Sequence, residues 1–279
     1  SASVTALGVM KRNWGLKVIE WLELTMYRSS TKVVALTDSF KKNLVQRGID
    51  PHKIDVVRNG VDLRKYAPRE KSQTLLAKYN LENKFVVGYM GTHGAAHALE
   101  NVVHAANILK NHEHINFVFM GSGAGSKSVC ELVKKLNLSN VTLIDPRPKS
   151  EMPEHWSLLD ISLVHLKNTQ LFATVIPSKM FEAMGMGLPI LLSAPKGEAS
   201  RIVEETGAGV WIEPENPELL AATVLELSQN RENLKKLAQQ SQKSAPLFTR
   251  EEQARKVIQS LEAAVSSTQT ATSQVLESK

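Results

Sequence analysis

The sequence predicts an α/β protein built on a doubly wound parallel sheet. Three observations carry that expectation. From residue 85 onward, short strand-like runs alternate with stretches of helical apolar spacing. Glycine turns follow the first two runs, Gly91-Thr92-His93-Gly94 after FVVGYM and Gly121-Ser122-Gly123 after INFVFM. The intervening helices have the length of crossover connections between parallel strands. Ligands of such sheets bind at the carboxyl ends of the strands, so the loops after them are where function is sought.

Bulk properties set the bounds. The chain has 279 residues, 42% hydrophobic and 22% charged, which suits one large or two modest soluble domains. Lys and Arg total 34 against 28 acidic residues, a mild excess of +6 spread along the chain. No basic run with interleaved aromatics appears, which argues against nucleic acid as a partner. Cys130 is the single cysteine, so an internal disulfide is excluded and a reducing, cytoplasmic setting fits. No apolar run is long enough to span a bilayer. The opening SASVTALGVMKRNWG, with no Met at its head, leads to the expectation of a preceding segment.

The elements follow in order. Residues 15–29 place Leu16, Ile19, Leu22 and Met26 at helical spacing, an amphipathic helix that would pack inside its domain or lie on a membrane. A strand is expected over 32–36, then a helix over 40–48 capped by Asp38 or Ser39 and ended by Gly48. The strand over 54–57 stops at Asn59-Gly60, a turn pair. Residues 61–83 read as a connection with one helix over 72–79. Beyond it, strands are expected over 85–90, 115–120, 141–145, 161–165, 188–193 and 209–212. The helices between and after them cover 99–110, 128–136, 151–158, 177–184, 198–205, 217–228 and 231–244. A last helix over 250–264 precedes a Ser/Thr-rich tail, 266–279, expected to be disordered.

The most informative stretch is TVIPSKMFEAMGMG, residues 174–187. Pro177 suits the first position of a helix, where its missing N–H costs nothing. Ile176 before it has no capping side chain, so the first amides are left for an anion such as a diphosphate. Ser178 and Lys179 add a hydroxyl and a positive charge. Glu182, one turn on, has a carboxylate able to accept two ribose hydroxyls. An ordinary surface helix carrying a lysine and a glutamate is the alternative. Elsewhere, Gly121-Ser122-Gly123-Ala124-Gly125 resembles a dinucleotide fingerprint, but Ser126 stands where its third glycine belongs. His93 and His97 have the spacing of zinc ligands, yet Gly94 opposes a helix there.

The segment VIPSKMFEAMGMGLPILLS resembles the donor-site signature of family 4 glycosyltransferases, with Leu188 inserted between the last Gly and Pro189. Three further stretches agree in order: VVALTDSFKKNLVQRGIDPHKIDVVRNGVDLRKYAP, FVVGYMGTHGAAHALENVVHAA and the run from FVFMGSGAG to LLDISLV. The likeness is nearest to the bacterial surface-polysaccharide subgroup, lipopolysaccharide enzymes included, that transfers N-acetylated amino sugars such as N-acetylfucosamine.

This resemblance implies a GT-B fold. Residues 1–60 would be the closing part of an N-terminal acceptor domain, 61–83 a hinge and 84–246 a complete Rossmann-like donor domain. Residues 247–265 would be a helix crossing back. It implies transfer from a UDP-N-acetyl amino sugar to a glycan or lipid-linked acceptor with retention, no bound metal and no cofactor. Peripheral contact with the inner membrane goes with lipid-linked acceptors. Glu182 would hold the ribose, and the backbone of Val175 and Ile176 would meet diphosphate and sugar. Gly91 and Thr92 would face the phosphates, and the backbone at Arg147 and Pro148 would read the base. Many family members carry a second Glu where Thr174 stands, and many an Arg and a Lys where Thr92 and His97 stand. Ser178 and Lys179 complete the expected donor set, Lys179 supplying the missing charge. No catalytic base is assigned. A donor-binding module without transfer, or a nucleotide-sugar epimerase of the same fold, are the rival readings.

Overall fold

The computed structural model describes the backbone of residues 14–277 and the side chains of residues 14–266. The opening residues 1–13 lie outside the described part. The chain divides into two compact units, Ser1–Gly60 with Phe248–Lys279, and Val61–Leu247.

The first unit opens with α1 (Trp14–Ser29), β1 (Val33–Ala35), α2 (Asp38–Gln46) and β2 (Ile54–Val56). The two strands run parallel, Val33 opposite Ile54. Val33, Ala35, Leu44, Ile49 and Ile54 form their core, with Leu24 and Tyr27 of α1 against it. This corrects the expected packing stripe of α1. Leu16 is buried, but Ile19, Leu22 and Met26 are exposed, and the inward face turns through Leu24 and Tyr27 instead. Glu20 and Glu23 on α1 both pair with Arg47 beyond α2, which fixes that rotation. The cap of α2 also differs: Thr37, in extended conformation, accepts from the Phe40 N–H at 3.1 Å. Asp38 and Ser39 lie inside the helix.

The second unit contains α3 (Gln73–Tyr79), β3 (Phe85–Met90), α4 (Leu99–Ile108), β4 (Ile115–Met120) and α5 (Ser126–Lys135). There follow β5 (Val141–Ile144), α6 (Met152–Trp156), β6 (Ile161–His165), α7 (Lys179–Gly185) and β7 (Ile190–Ser193). It closes with α8 (Glu198–Thr206), β8 (Gly209–Ile212), α9 (Pro217–Gln229) and α10 (Arg231–Ser244). The sheet is parallel throughout, ordered β5-β4-β3-β6-β7-β8. The chain winds outward from β3 to β5, then returns to the other side of β3 with β6. The topological switch point therefore lies between β3 and β6. Every residue of β4 and β6 is buried, as both-face coverage by helices requires. On one face Val87, Tyr89, Phe117 and Phe119 pack with Val102 and Val103 of α4 and Leu220 and Val224 of α9.

Residues 61–83 belong to this second unit rather than standing between domains. Val61, Tyr66, Leu76 and Leu81 are buried, and a Cβ on Gly185 would lie 2.8 Å from the Tyr66 carbonyl oxygen. Apolar anchors spaced widely in a polar segment give no periodic signal, which is why the sequence reads as a linker.

The last helix, α11 (Arg250–Glu277), groups with the first unit. Ser260 Oγ donates to Asp55 beyond Ile54 on β2 at 2.7 Å, and Arg250 Nε donates to the Gly60 carbonyl at 3.3 Å. Its backbone stays helical through Glu277, where the Ser/Thr-rich composition predicts disorder. Adding residues to an existing helix costs far less than starting one.

Candidate functional site

The loops after β3, β5 and β6 carry the expected residues of the donor set, and the loops after β3 and β4 are tightly packed together. Gly91 follows β3 at φ +125° and Gly121 follows β4 at φ +144°, conformations that side chains rarely adopt. A Cβ on Gly121 would lie 1.9 Å from the Gly91 carbonyl oxygen, and one on Gly123 would lie 2.5 Å from that of His93. The glycine run 121–125 is thus a bed for the loop after β3. His93 N–H donates to Ser122, and Gly125 N–H donates back to the His93 carbonyl at 2.7 Å. That explains the glycines without a dinucleotide fingerprint.

The loop after β3 also joins the loop after β6 across the switch point. Lys167 N–H donates to the Ala96 carbonyl at 2.9 Å. His165 Nδ1 lies 2.7 Å from the His97 carbonyl oxygen, and His97 Nδ1 lies 3.3 Å from that of His165. His93 Nδ1 lies 3.1 Å from Ser126 Oγ. The Nδ1 atoms of His93 and His97 thus face different protein partners.

Lys179, expected to supply charge in the first turn of the helix, is partly buried. Its Nζ is buried and has no hydrogen-bond partner among the described residues. The ammonium sits 3.6 Å from the centroid of the Tyr89 ring, a cation–π contact. A Cβ on Gly91 would lie 3.4 Å from Nζ, so the missing side chain there makes room for it. Burial pushes the Lys179 pKa down to about 7, with Glu182 acting the other way. Burial, then the Lys179 charge, pushes His97 down to about 4, and the same two causes lower His93. His93 Nε2 is likewise buried and without a partner. A Cβ on Gly121 would lie 3.4 Å from it.

The other expected residues are positioned as follows. Thr92 is exposed, and its carbonyl accepts from the Tyr89 hydroxyl at 2.8 Å, which fixes the turn after Gly91. Thr174 ends a single tight turn, Phe172–Thr174, with its hydroxyl committed to the Leu171 carbonyl at 2.7 Å. Val175 is extended and donates to Phe172. Helix α7 begins at Lys179, two residues later than Pro177 suggests, because Met180 N–H closes a short loop to the Pro177 carbonyl. The N–H groups of Ile176, Ser178 and Lys179 donate to no acceptor among the described residues. Glu182 is half-buried on α7. Arg147 and Pro148 lie in the loop after β5, with Arg147 Nε buried and unpartnered and the Pro148 carbonyl accepting from Glu151. A cavity of about 560 Å³ lies at the other edge of the sheet, where strands begin, lined by Lys84, Asp160, Pro189 and Arg231. It shares no residue with this set.

Two family models match the chain, that of glycosyl transferases group 1 over residues 71–244 and that of glycosyltransferase family 4 over residues 7–65. The chain belongs to the group 1 glycosyltransferases. It is 26% identical to the probable glycosyltransferase WbjE of Pseudomonas aeruginosa over 224 residues, covering 79% of this chain and 55% of that protein. It is 23% identical to WcaI of Escherichia coli (strain K12), named for colanic acid biosynthesis, covering 80% and 56%. The chain spans little more than half the length of these relatives. Among solved structures, Anabaena HepE in complex with UDP-glucose superposes with a TM-score of 0.73 at 18% identity, covering 88% of this chain and 66% of that one. The group 1 glycosyltransferase described here therefore has the GT-B fold. Among its described residues no helix is long and apolar enough to cross a membrane.

Proposed function

We propose that this chain carries the donor half of a retaining, family 4 type glycosyltransferase that takes a UDP-N-acetyl amino sugar. The acceptor is a hydroxyl on a growing glycan or lipid-linked glycan in surface-polysaccharide assembly, as in the N-acetylfucosamine-transferring subgroup. The observation that carries the reading is the unpartnered Lys179 ammonium packed against Gly91, beside the unpaired amides of Ile176, Ser178 and Lys179. Unpaired donors and a cation at the carboxyl edge of a parallel sheet suit a diphosphate. Family membership and the UDP-glucose of the HepE complex support a nucleotide sugar as its owner.

In transfer, negative charge builds on the diphosphate as the sugar leaves, and those donors stabilise it in place. Glu182 holds the ribose, orienting the donor. The backbone of Val175 and Ile176 meets the sugar, that of Gly91 and Thr92 the phosphates, and that of Arg147 and Pro148 the base. The exposed Ile19, Trp21, Leu22 and Met26 of α1 support peripheral contact with the cytoplasmic membrane face that presents a lipid-linked acceptor. The rival reading is a unit that binds donor and transfers nothing alone.

UDP added to the protein should raise its melting temperature, and Glu182→Ala should remove most of that rise. A rise of equal size in the variant would rule out the ribose role. Hydrolysis or transfer of a UDP-sugar by the chain alone separates the two readings.

A further inference from the structure

Two buried side-chain nitrogens at the ends of β3 and β4, Lys179 Nζ and His93 Nε2, find no hydrogen-bond partner among the described residues. Each lies where a glycine at the end of a strand leaves room, Gly91 for the lysine and Gly121 for the histidine. Buried polar atoms are rarely left this way unless something else satisfies them. The surroundings of Lys179 are mostly uncharged. Tyr89 faces it from β3 and is kept neutral by burial. His93 and His97, from the loop after β3, have their pKa values pushed below the usual histidine range and so are neutral near pH 7. His165, at the end of β6, is likewise lowered by burial. Glu182, on its own helix, is the acidic group acting on it.

We propose that the donor's diphosphate brings a proton with it, taken from solvent onto Lys179 Nζ, so that donor binding and proton uptake are one event. This deepens the donor reading and rests on it. In the unliganded site the ammonium has a ring face and no acceptor, so its charge is poorly supported. A diphosphate beside Gly91 supplies acceptor oxygens and opposite charge, both of which favour the protonated form. Loss of the sugar adds a negative charge to the diphosphate, so the departing UDP holds this proton more firmly than the intact donor does. Product release is then the step that returns it.

The test is calorimetry of UDP binding to the full chain between pH 7.5 and 8.5, in two buffers of different ionisation enthalpy. The terminal phosphate of UDP is already ionised in this range, since such groups titrate near pH ~6. Wild type should take up close to one proton per UDP at pH 8.5, and its affinity should fall up to about tenfold per pH unit. Lys179→Arg, whose charge is permanent, should bind with no uptake and a flat affinity. Lys179→Met should bind weakly with no uptake. UDP binding by wild type with buffer-independent enthalpy and flat affinity would overturn the proposal while leaving the donor reading intact. Equal uptake by the arginine variant would overturn it too. No UDP binding at all would overturn both.

Discussion

His165 donates through Nδ1 to the His97 carbonyl at 2.7 Å, and His97 returns the bond to the His165 carbonyl at 3.3 Å. A carbonyl only accepts, so both rings carry hydrogen on Nδ1. The pair ties the turn after β3 to the end of β6, the two elements that flank the switch point.

Burial of the two rings makes the fold sensitive to acid, although the bonds between them act the other way. Burial pushes His97 down to about 4 and lowers His165, whereas both titrate near the ordinary histidine value of about 6.5 when unfolded. Between those values the unfolded chain binds more protons, so stability is present above pH ~6.5 and is lost as pH falls through about 4. The urea midpoint of unliganded protein should therefore drop across that window. His97→Gln, which keeps an N–H donor but does not titrate, should flatten the drop.

Lys179 has the opposite consequence. Its folded pKa of about 7 lies below the unfolded value of about 10.4, so the folded state is penalised as pH falls from 10 to 7. Lys179→Met should raise the melting temperature of unliganded protein at pH 7, and the gain should shrink toward pH 10. A variant no more stable than wild type at pH 7 would contradict this burial cost.

Gly121→Ala should cost about 1–3 kcal/mol or more, the range of overpacked substitutions. Its Cβ would meet the Gly91 carbonyl oxygen at 1.9 Å in a conformation that already excludes side chains. Denaturant unfolding measures the loss, and UDP binding should weaken with it because the loop after β3 must shift. Gly94→Ala is a control, since its Cβ would find only ordinary contacts at 3.6 Å and beyond.

Ser260→Ala should weaken the attachment of α11 to β2. The Ser260 hydroxyl donates to the Asp55 carboxylate at 2.7 Å, and hydrogen bonds to charged groups contribute about 1.5–3 kcal/mol. Asp55 is partly exposed and also pairs with Lys32, which places the expected loss at the lower end. Hydrogen exchange should rise in the α11 backbone near residue 260 and stay unchanged in β3–β8.

Much of this was legible in the sequence. The alternation of apolar runs and helical spacing predicts each strand of the six-stranded sheet to within about two residues, and in the inner strands β4, β6 and β7 burial on both faces leaves an unbroken apolar signal. The TVIPSKMFEAMG stretch announces its loop and helix. What was not legible depends on long-range neighbours. The sequence offers Lys179 as a charge for a diphosphate but gives no sign of its packing against Tyr89 and Gly91, some ninety residues earlier in the sequence. His97 and His165 are 68 positions apart and carry no shared motif. The start of α7 shifted because a local Met180–Pro177 bond competes with the regular first turn.

The grouping of α11 with β1 and β2 has a bearing on biogenesis. Synthesis runs from the amino end, so residues 61–247 emerge before the helix that groups with β1 and β2. The β1–β2 pair is made ahead of that Rossmann-like body and receives α11 only after it.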